Sequence, residues 1–151
     1  MERFFKIVDS EFRKNNEDII LPKRATKHSA GYDFYSPVTI IIPSKMSVQI
    51  WTDVKCKVGK DEFLMIVPRS SVGIKKNLML KNTTGIIDSD YFSNPDNDGN
   101  IGICFYNFGD VDQAIQQGDK ICQGIFIKYF KTDEDGTNEE RIGGTGSTDS
   151  K

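Results

Sequence analysis

Histidine is almost missing from this chain: His28, in a polar loop beside Ser29, is the only one. That scarcity argues against a Ser-His-Asp or Cys-His nucleophile, since such sites use an imidazole as general base. Cysteine is sparse too. Cys56, Cys104 and Cys122 make an odd number without Cys-x-x-Cys spacing. Free thiols in a reducing cytoplasm fit that pattern better than a disulfide framework or a zinc site. No apolar run approaches the roughly 20 residues that cross a membrane. The start, Met-Glu-Arg-Phe-Phe-Lys, lacks the apolar region of a signal peptide. The formal net charge is only −2, and no basic stripe suited to duplex nucleic acid stands out. The expected setting is cytoplasmic, with neither membrane nor nucleic acid as partner.

What is present is a series of short β-prone segments. Phe4 to Val8, Gly31 to Ser36, Val38 to Ile42, Met46 to Trp51, Thr52 to Val58, Phe63 to Val67 and Ile121 to Phe130 all read as strands, and Leu78 to Leu80 leads into a central hairpin. They are apolar runs or period-two alternations closed by Pro, Gly or Asp. Asp9 to Asp18 reads as a loop, and Val111 to Gln117 as a polar connection. Ser70 to Asn77 is the best candidate for a short helix, weakened by Gly73. The 151 residues suit one all-β domain, a barrel or jelly-roll-like sandwich, over 1–140. Residues 141–151 are mostly Gly, Ser and Thr with little to bury, which predicts a flexible C-terminal arm.

The chain is organised around Asn82 to Phe105. Gly85-Ile86-Ile87 and the alternating run Ile101 to Tyr106 read as arms of a β-hairpin with a long tip of Ser, Asn, Pro, Asp and Gly. Asp88, Asp90 and Tyr91 stand at its base. Glycines at 85, 99 and 102 leave backbone bare, so a flat ligand could lie against main-chain groups. The stretch fits equally well an acidic surface hairpin with a solvated tip.

Two apparent motifs fail. Gly143-Gly144-Thr145-Gly146-Ser147-Thr148 lacks the lysine, strand and helix of a P-loop. Asn94 to Phe105 lacks the glutamate and flanking helices of a calcium loop. Phosphate-friendly elements remain. Arg69, Ser70 and Ser71 follow a buried strand, Gln123 offers an amide in Gly118-Asp119-Lys120-Ile121-Cys122-Gln123, and Asp33 offers a carboxylate beside Gly31.

In order, these elements resemble the five motifs of the trimeric deoxyuridine triphosphatases, the dUTP diphosphatases. The first resembles Ala30-Gly31-Tyr32-Asp33-Phe34 and the second Pro68-Arg69-Ser70-Ser71-Val72-Gly73. The third resembles Gly85-Ile86-Ile87-Asp88-Ser89-Asp90-Tyr91, with Asn82 ahead of it. The fourth is the Gly118–Gln123 run, and the fifth is Arg141 with Gly143 to Thr148. The likeness covers about residues 20–151 and points toward forms from low-GC Gram-positive bacteria and their phages.

The resemblance implies a jelly-roll-like β-barrel, with at most one short helix, that hydrolyses dUTP to dUMP and pyrophosphate. Such a reaction keeps uracil out of DNA and supplies dUMP for thymidylate synthesis. It implies Asp88 as the group that activates water. It implies Mg²⁺ chelated by the triphosphate, with Asp33 reaching it through water. Arg69, Ser70, Ser71 and Gln123 would hold phosphates; Arg141, Ser147 and Thr148 would close over them. Backbone near Asn82, Gly85, Ile86, Ile87 and Gly102 would read uracil, and Tyr91 would exclude a 2′-hydroxyl. The family is homotrimeric, with sites shared between subunits and the tail crossing to a neighbour.

Three departures stand out. Phe92 to Asn100 replaces the usual Arg-Gly-Glu after the tyrosine, Ser71 replaces a common glycine, and Thr145 replaces the phenylalanine that commonly stacks on uracil. Two alternatives share the fold. A dCTP deaminase would need a glutamate on the returning strand, and Ile101 to Gly109 has no acid. A non-enzymatic dUTP-responsive regulator would not need Asp88, Tyr91 and Arg141, all of which are present.

Overall fold

A computed structural model describes residues 2–150. Among the described residues there are twelve strands and no α-helix. They are β1 Phe4–Ile7, β2 Lys23–Arg24, β3 Tyr32–Tyr35, β4 Ile40–Ile42, β5 Ser47–Trp51 and β6 Val54–Lys57. They continue as β7 Glu62–Pro68, β8 Leu78–Leu80, β9 Gly85–Asp88, β10 Gly102–Asn107, β11 Gln113–Ile115 and β12 Lys120–Lys128. The expected short helix is a five-residue π-helical turn, Ser71–Lys75.

All pairings are antiparallel. A five-stranded sheet runs β2-β3-β12-β7-β9, and a three-stranded sheet runs β5-β10-β8. Two ribbons, β1-β6 and β11-β4, complete the fold. Strand alternation sends Ile50, Leu64, Ile66, Ile103 and Phe105 into one core with Phe34, Leu78 and Ile121. This is the expected jelly-roll-like architecture.

Three local expectations need correction. Gly85–Ile87 and Ile101–Tyr106 do not pair with each other. β10 takes β8 as its hairpin partner, Phe105 opposite Leu80, while β9 crosses to β7, Gly85 opposite Ile66. The parting point is the turn at Asn82 to Thr84, where Thr83 adopts a left-handed φ of 66°. Gly85 permits the new pairing, because a Cβ there would meet Ile66 Cβ at 2.9 Å. The gap this leaves between β9 and β10 becomes a cavity.

Val111 to Gln117 is not merely connecting, since it contains β11 and buries Ile115. Lys23-Arg24 adds a short edge strand that composition does not signal. Finally, the hairpin tip is folded, not solvated. Asn94, Asp98 and Asn100 are buried, and Asn94 Oδ1 accepts the backbone N–H groups of Asp96 and Asn97. Lys55 Nζ donates to Asp98 Oδ2 at 2.7 Å and lies 5.2 Å from the Phe92 ring centre. The Asp9–Asp18 loop is likewise held, by a buried Asp53 that accepts from Arg13, Lys14 and Asn15.

Candidate active site

The gap between β9 and β10 is a cavity of about 570 Å³. Gly85, Ile86 and Ile87 form one wall, and Gly102, Ile103 and Cys104 the other. Both walls are backbone with small or β-branched side chains, so the slot suits a flat ring read by main-chain donors and acceptors. Asn82, Asp88, Tyr91, Arg141 and Thr148 also line it. Nine of the expected site residues are thus brought together here.

Asp88 ends β9, and a 3-10 turn, Ser89–Tyr91, follows. The strand does not extend to Asp90, yet both carboxylates meet one guanidinium. Arg141 Nη2 donates to Asp88 Oδ2 at 3.0 Å and Nε to Asp90 Oδ1 at 2.7 Å. The same guanidinium lies 5.8 Å from the Tyr91 ring centre. Tyr91 is buried and committed: its hydroxyl donates to the Asn100 carbonyl at 2.8 Å and accepts from Asn97 Nδ2 at 2.9 Å. Burial pushes its pKa up, against the Asn97 and Thr145 hydrogen bonds and the Arg141 charge. It is therefore a neutral phenol at physiological pH.

The arm lies across the slot of its own chain. Gly144, Thr145, Gly146 and Thr148 line the cavity, and Gly144 N–H donates to Asp96 Oδ2 at 3.3 Å. The side chain of Ser147 lies outside the described ones. The folded tip supplies this docking point, a contact no local sequence signal marks.

A second cluster forms elsewhere. Asp33 on β3 pairs with Gln123 on β12, which pairs with Val67 on β7. Asp33 is 4% exposed. Arg69 Nε reaches its Oδ1 at 3.2 Å and Lys120 Nζ its Oδ2 at 3.5 Å. Gly31 is glycine because a Cβ there would strike the Gln123 amide oxygen. Ser70 and Ser71 open the π-helical turn beside Arg69 and are exposed. Two cations, an amide and two hydroxyls, donors of the kind that phosphate oxygens accept from, thus gather around the Asp33 carboxylate.

Asp88 and the Asp33–Arg69 cluster stand at opposite ends of β7. Asp88 pairs with Phe63 near the start of that strand, and Arg69 follows its last residue. At a strand rise of about 3.4 Å per residue they are roughly 20 Å apart. Sequence order alone does not reveal this division.

The two buried thiols, Cys56 and Cys122, are neutral at physiological pH. Burial pushes the Cys56 thiol up to about 12, and burial followed by the Asp33 charge raises Cys122. Among the lining residues that escaped the sequence reading are Gln49 and Trp51 on β5. The alternation that sends Ile50 inward was the signal that could have found them.

Fold and site define a class: an all-β hydrolase for a nucleoside polyphosphate. The dUTPase family model matches residues 17–150. The deoxyuridine 5'-triphosphate nucleotidohydrolase of Lactococcus lactis is 38% identical over 148 residues, 97% of either chain. That of Rattus norvegicus is 34% identical over 142 residues, covering 91% of this chain and 65% of its own. The crystal structure of Streptococcus mutans dUTPase superposes with a TM-score of 0.75 at 34% identity, covering 85% of this chain and 98% of that one. A mutant dUTPase of staphylococcal phage phi11, with a structural Mg(II) ion, gives 0.71 at 21% identity over 92% and 98%; at that identity the likeness concerns the fold. The chain belongs to the dUTPase family.

Proposed function

We propose that this chain hydrolyses dUTP to dUMP and pyrophosphate at sites built by more than one copy of itself, in a homotrimer. The observation that carries the reading is the division across β7. The phosphate cluster lies about 20 Å from Asp88 along the strand, too far to hold a triphosphate against it within one chain. A second copy that sets its Asp33–Arg69–Gln123 surface beside the slot of the first completes the site. The arm, Arg141 to Thr148, serves as its lid, over its own slot or a neighbour's.

Uracil enters the slot between β9 and β10. Backbone near Asn82, Gly85, Ile86 and Ile87 and the returning backbone at Gly102 hydrogen-bond its edge. Close walls leave no room for a 5-methyl group. The Tyr91 ring, fixed by Asn100 and Asn97, lies under the sugar and meets a 2′-hydroxyl. Arg69, Ser70, Ser71 and Gln123 hold the phosphates, and Arg141 with Ser147 and Thr148 closes over the γ end.

Arg141 now occupies Asp88. Transfer of that guanidinium to the phosphates frees the carboxylate to accept a hydrogen bond from water. That water gives a proton to Asp88 as its oxygen bonds to the α-phosphorus, the bond to the bridging α–β oxygen breaks, and pyrophosphate departs with the bonding electron pair.

Asp33 is one carboxylate already faced by two cations, and no group of three or more His, Cys, Asp or Glu suited to a metal occurs among the described residues. Such a donor set fits Mg²⁺ that arrives chelated by the triphosphate, with Asp33 reaching it through water. Lys120 and Arg69 then neutralise phosphate charge. Three free cysteines suit a cytoplasmic setting, and no described helix is long and apolar enough to cross a membrane.

Complementation tests the shared site. Arg69→Ala and Asp88→Asn proteins, each inactive alone, are co-refolded into mixed oligomers. Random mixing restores both groups in about a quarter of sites if they come from different copies. No recovery in confirmed mixed oligomers places both groups in one chain and overturns the reading.

A further inference from the structure

The slot lacks the aromatic that the arm would bring, because position 145 is threonine. A ring is nevertheless present. β5 and β10 pair with Trp51 opposite Gly102 and Gln49 opposite Cys104. Ile50 and Ile103, the intervening residues, are each 2% exposed and point into the core. Alternation therefore turns Gln49, Trp51, Gly102 and Cys104 outward together, and all four line the cavity. A Cβ on Gly102 would lie 2.8 Å from Trp51 Cζ3 and 3.0 Å from Cε3. The Gln49 side-chain amide, which lies nearest such a Cβ, and the six-membered ring of the indole together cover the bare α-carbon of Gly102.

We propose that Trp51 is a substrate-binding residue, the aromatic wall on which the base stacks. The proposal rests on the reading that uracil occupies the slot between β9 and β10, and it names the group that takes over the arm's usual stacking role. Trp51 and Tyr91 are the aromatic residues on the cavity wall. Tyr91 is fixed by its own hydrogen bonds and faces Arg141. Trp51 is half-buried, with the indole held at the slot by the strand beneath it. Offset stacking on such a ring tightens binding by roughly three- to tenfold beyond area burial. Gly102 then has two reasons to be glycine: its backbone faces the base edge, and the indole needs its space.

Trp51 is the only tryptophan in the chain, so its emission reports this wall with no substitution. The full-length protein is titrated with dUMP, with non-hydrolysable α,β-imido-dUTP and with tripolyphosphate, while calorimetry measures binding in parallel. Both uracil nucleotides are expected to change the emission saturably, at the concentrations calorimetry gives, and tripolyphosphate to leave it unchanged. Trp51→Leu is expected to raise the dUMP Kd three- to tenfold and Trp51→Phe less than twofold. Heat-confirmed dUMP binding with unchanged emission would overturn the role of Trp51 and leave the slot reading standing. Absence of binding by either uracil nucleotide would overturn both. An emission change with tripolyphosphate equal to that with dUMP would assign the signal to arm closure and overturn the stack.

Discussion

Asp53→Asn should unfold the protein far more readily than its size suggests. Asp53 is fully buried, and its two oxygens serve five donors. Oδ1 accepts from Lys14 N–H and Asn100 Nδ2, both at 2.9 Å. Oδ2 accepts from Arg13 Nε and Asn15 N–H at 2.9 Å and Asn15 Nδ2 at 3.0 Å. The residue has φ 57°, a conformation asparagine tolerates as aspartate does. The substitution therefore isolates the second oxygen and the charge. Its NH₂ group must face at least two donors, which then lose their acceptor. At about 1–3 kcal/mol for each buried donor left unpaired, the loss is about 3–4 kcal/mol.

For a domain of this length that lowers Tm by roughly 10 °C. Thermal unfolding by circular dichroism, at one protein concentration because assembly contributes, measures it. The pH dependence adds a second check. Burial opposes the charge most strongly, but the hydrogen bonds from Lys14, Asn15, Asn100 and Arg13 together outweigh it, so the folded carboxyl is held below its ordinary value. A lowered folded pKa gives stability that is complete above the unfolded value of about 3.9 and is lost as pH falls through the folded one. The Tm gap between parent and variant should be constant from neutral pH to about pH 5 and narrow only below about pH 4. A gap under about 2 °C at pH 7, or one that widens toward acid, would refute the reasoning.

Asp88→Asn should retain dUMP binding by calorimetry and lose on the order of 10²–10⁴ in kcat; more than half the parent rate would move the general base to Asp90. Tyr91→Ala removes the plane under the sugar, so the ratio of kcat/KM for dUTP over UTP should fall at least about tenfold. An unchanged ratio removes Tyr91 from that role. Deleting residues 141–151 removes Arg141 from Asp88 and Asp90 but little buried apolar surface. Tm should shift by less than about 2 °C while turnover falls at least roughly tenfold, and full turnover would end the lid assignment.

Period and punctuation made most strands legible. Phe63 to Val67, an apolar run, and Ile121 to Phe130, a long β-prone segment, pair at the centre of the main sheet, although the second face of β7 is half-buried and not buried as the apolar run suggests. Pairing partners were less legible. Gly85-Ile86-Ile87 and Ile101–Tyr106 look like hairpin arms because they are neighbours of the right composition. What decides is Gly85 against Ile66 and the left-handed turn at Thr83, neither visible in a hydrophobicity pattern. The folded tip was illegible for a related reason. Asn, Asp and Gly signal a turn whether their side chains face water or one another, and here Asn94, Asn97 and Asn100 bond inward. Of the candidate site, residue identities came from the order of five short motifs. That Asp88 and Arg69 stand at opposite ends of one strand depends on the β7–β9 register, which no motif encodes.

The central claim is catalysis of one reaction on one nucleotide. Pyrophosphate release, measured in parallel with dUTP, dCTP, dTTP and UTP in the presence of Mg²⁺, tests it most directly. Rapid release from dUTP, with the other three at least on the order of 10²-fold slower, is the predicted result. Equal release from dTTP or UTP, or no release from dUTP, would contradict it.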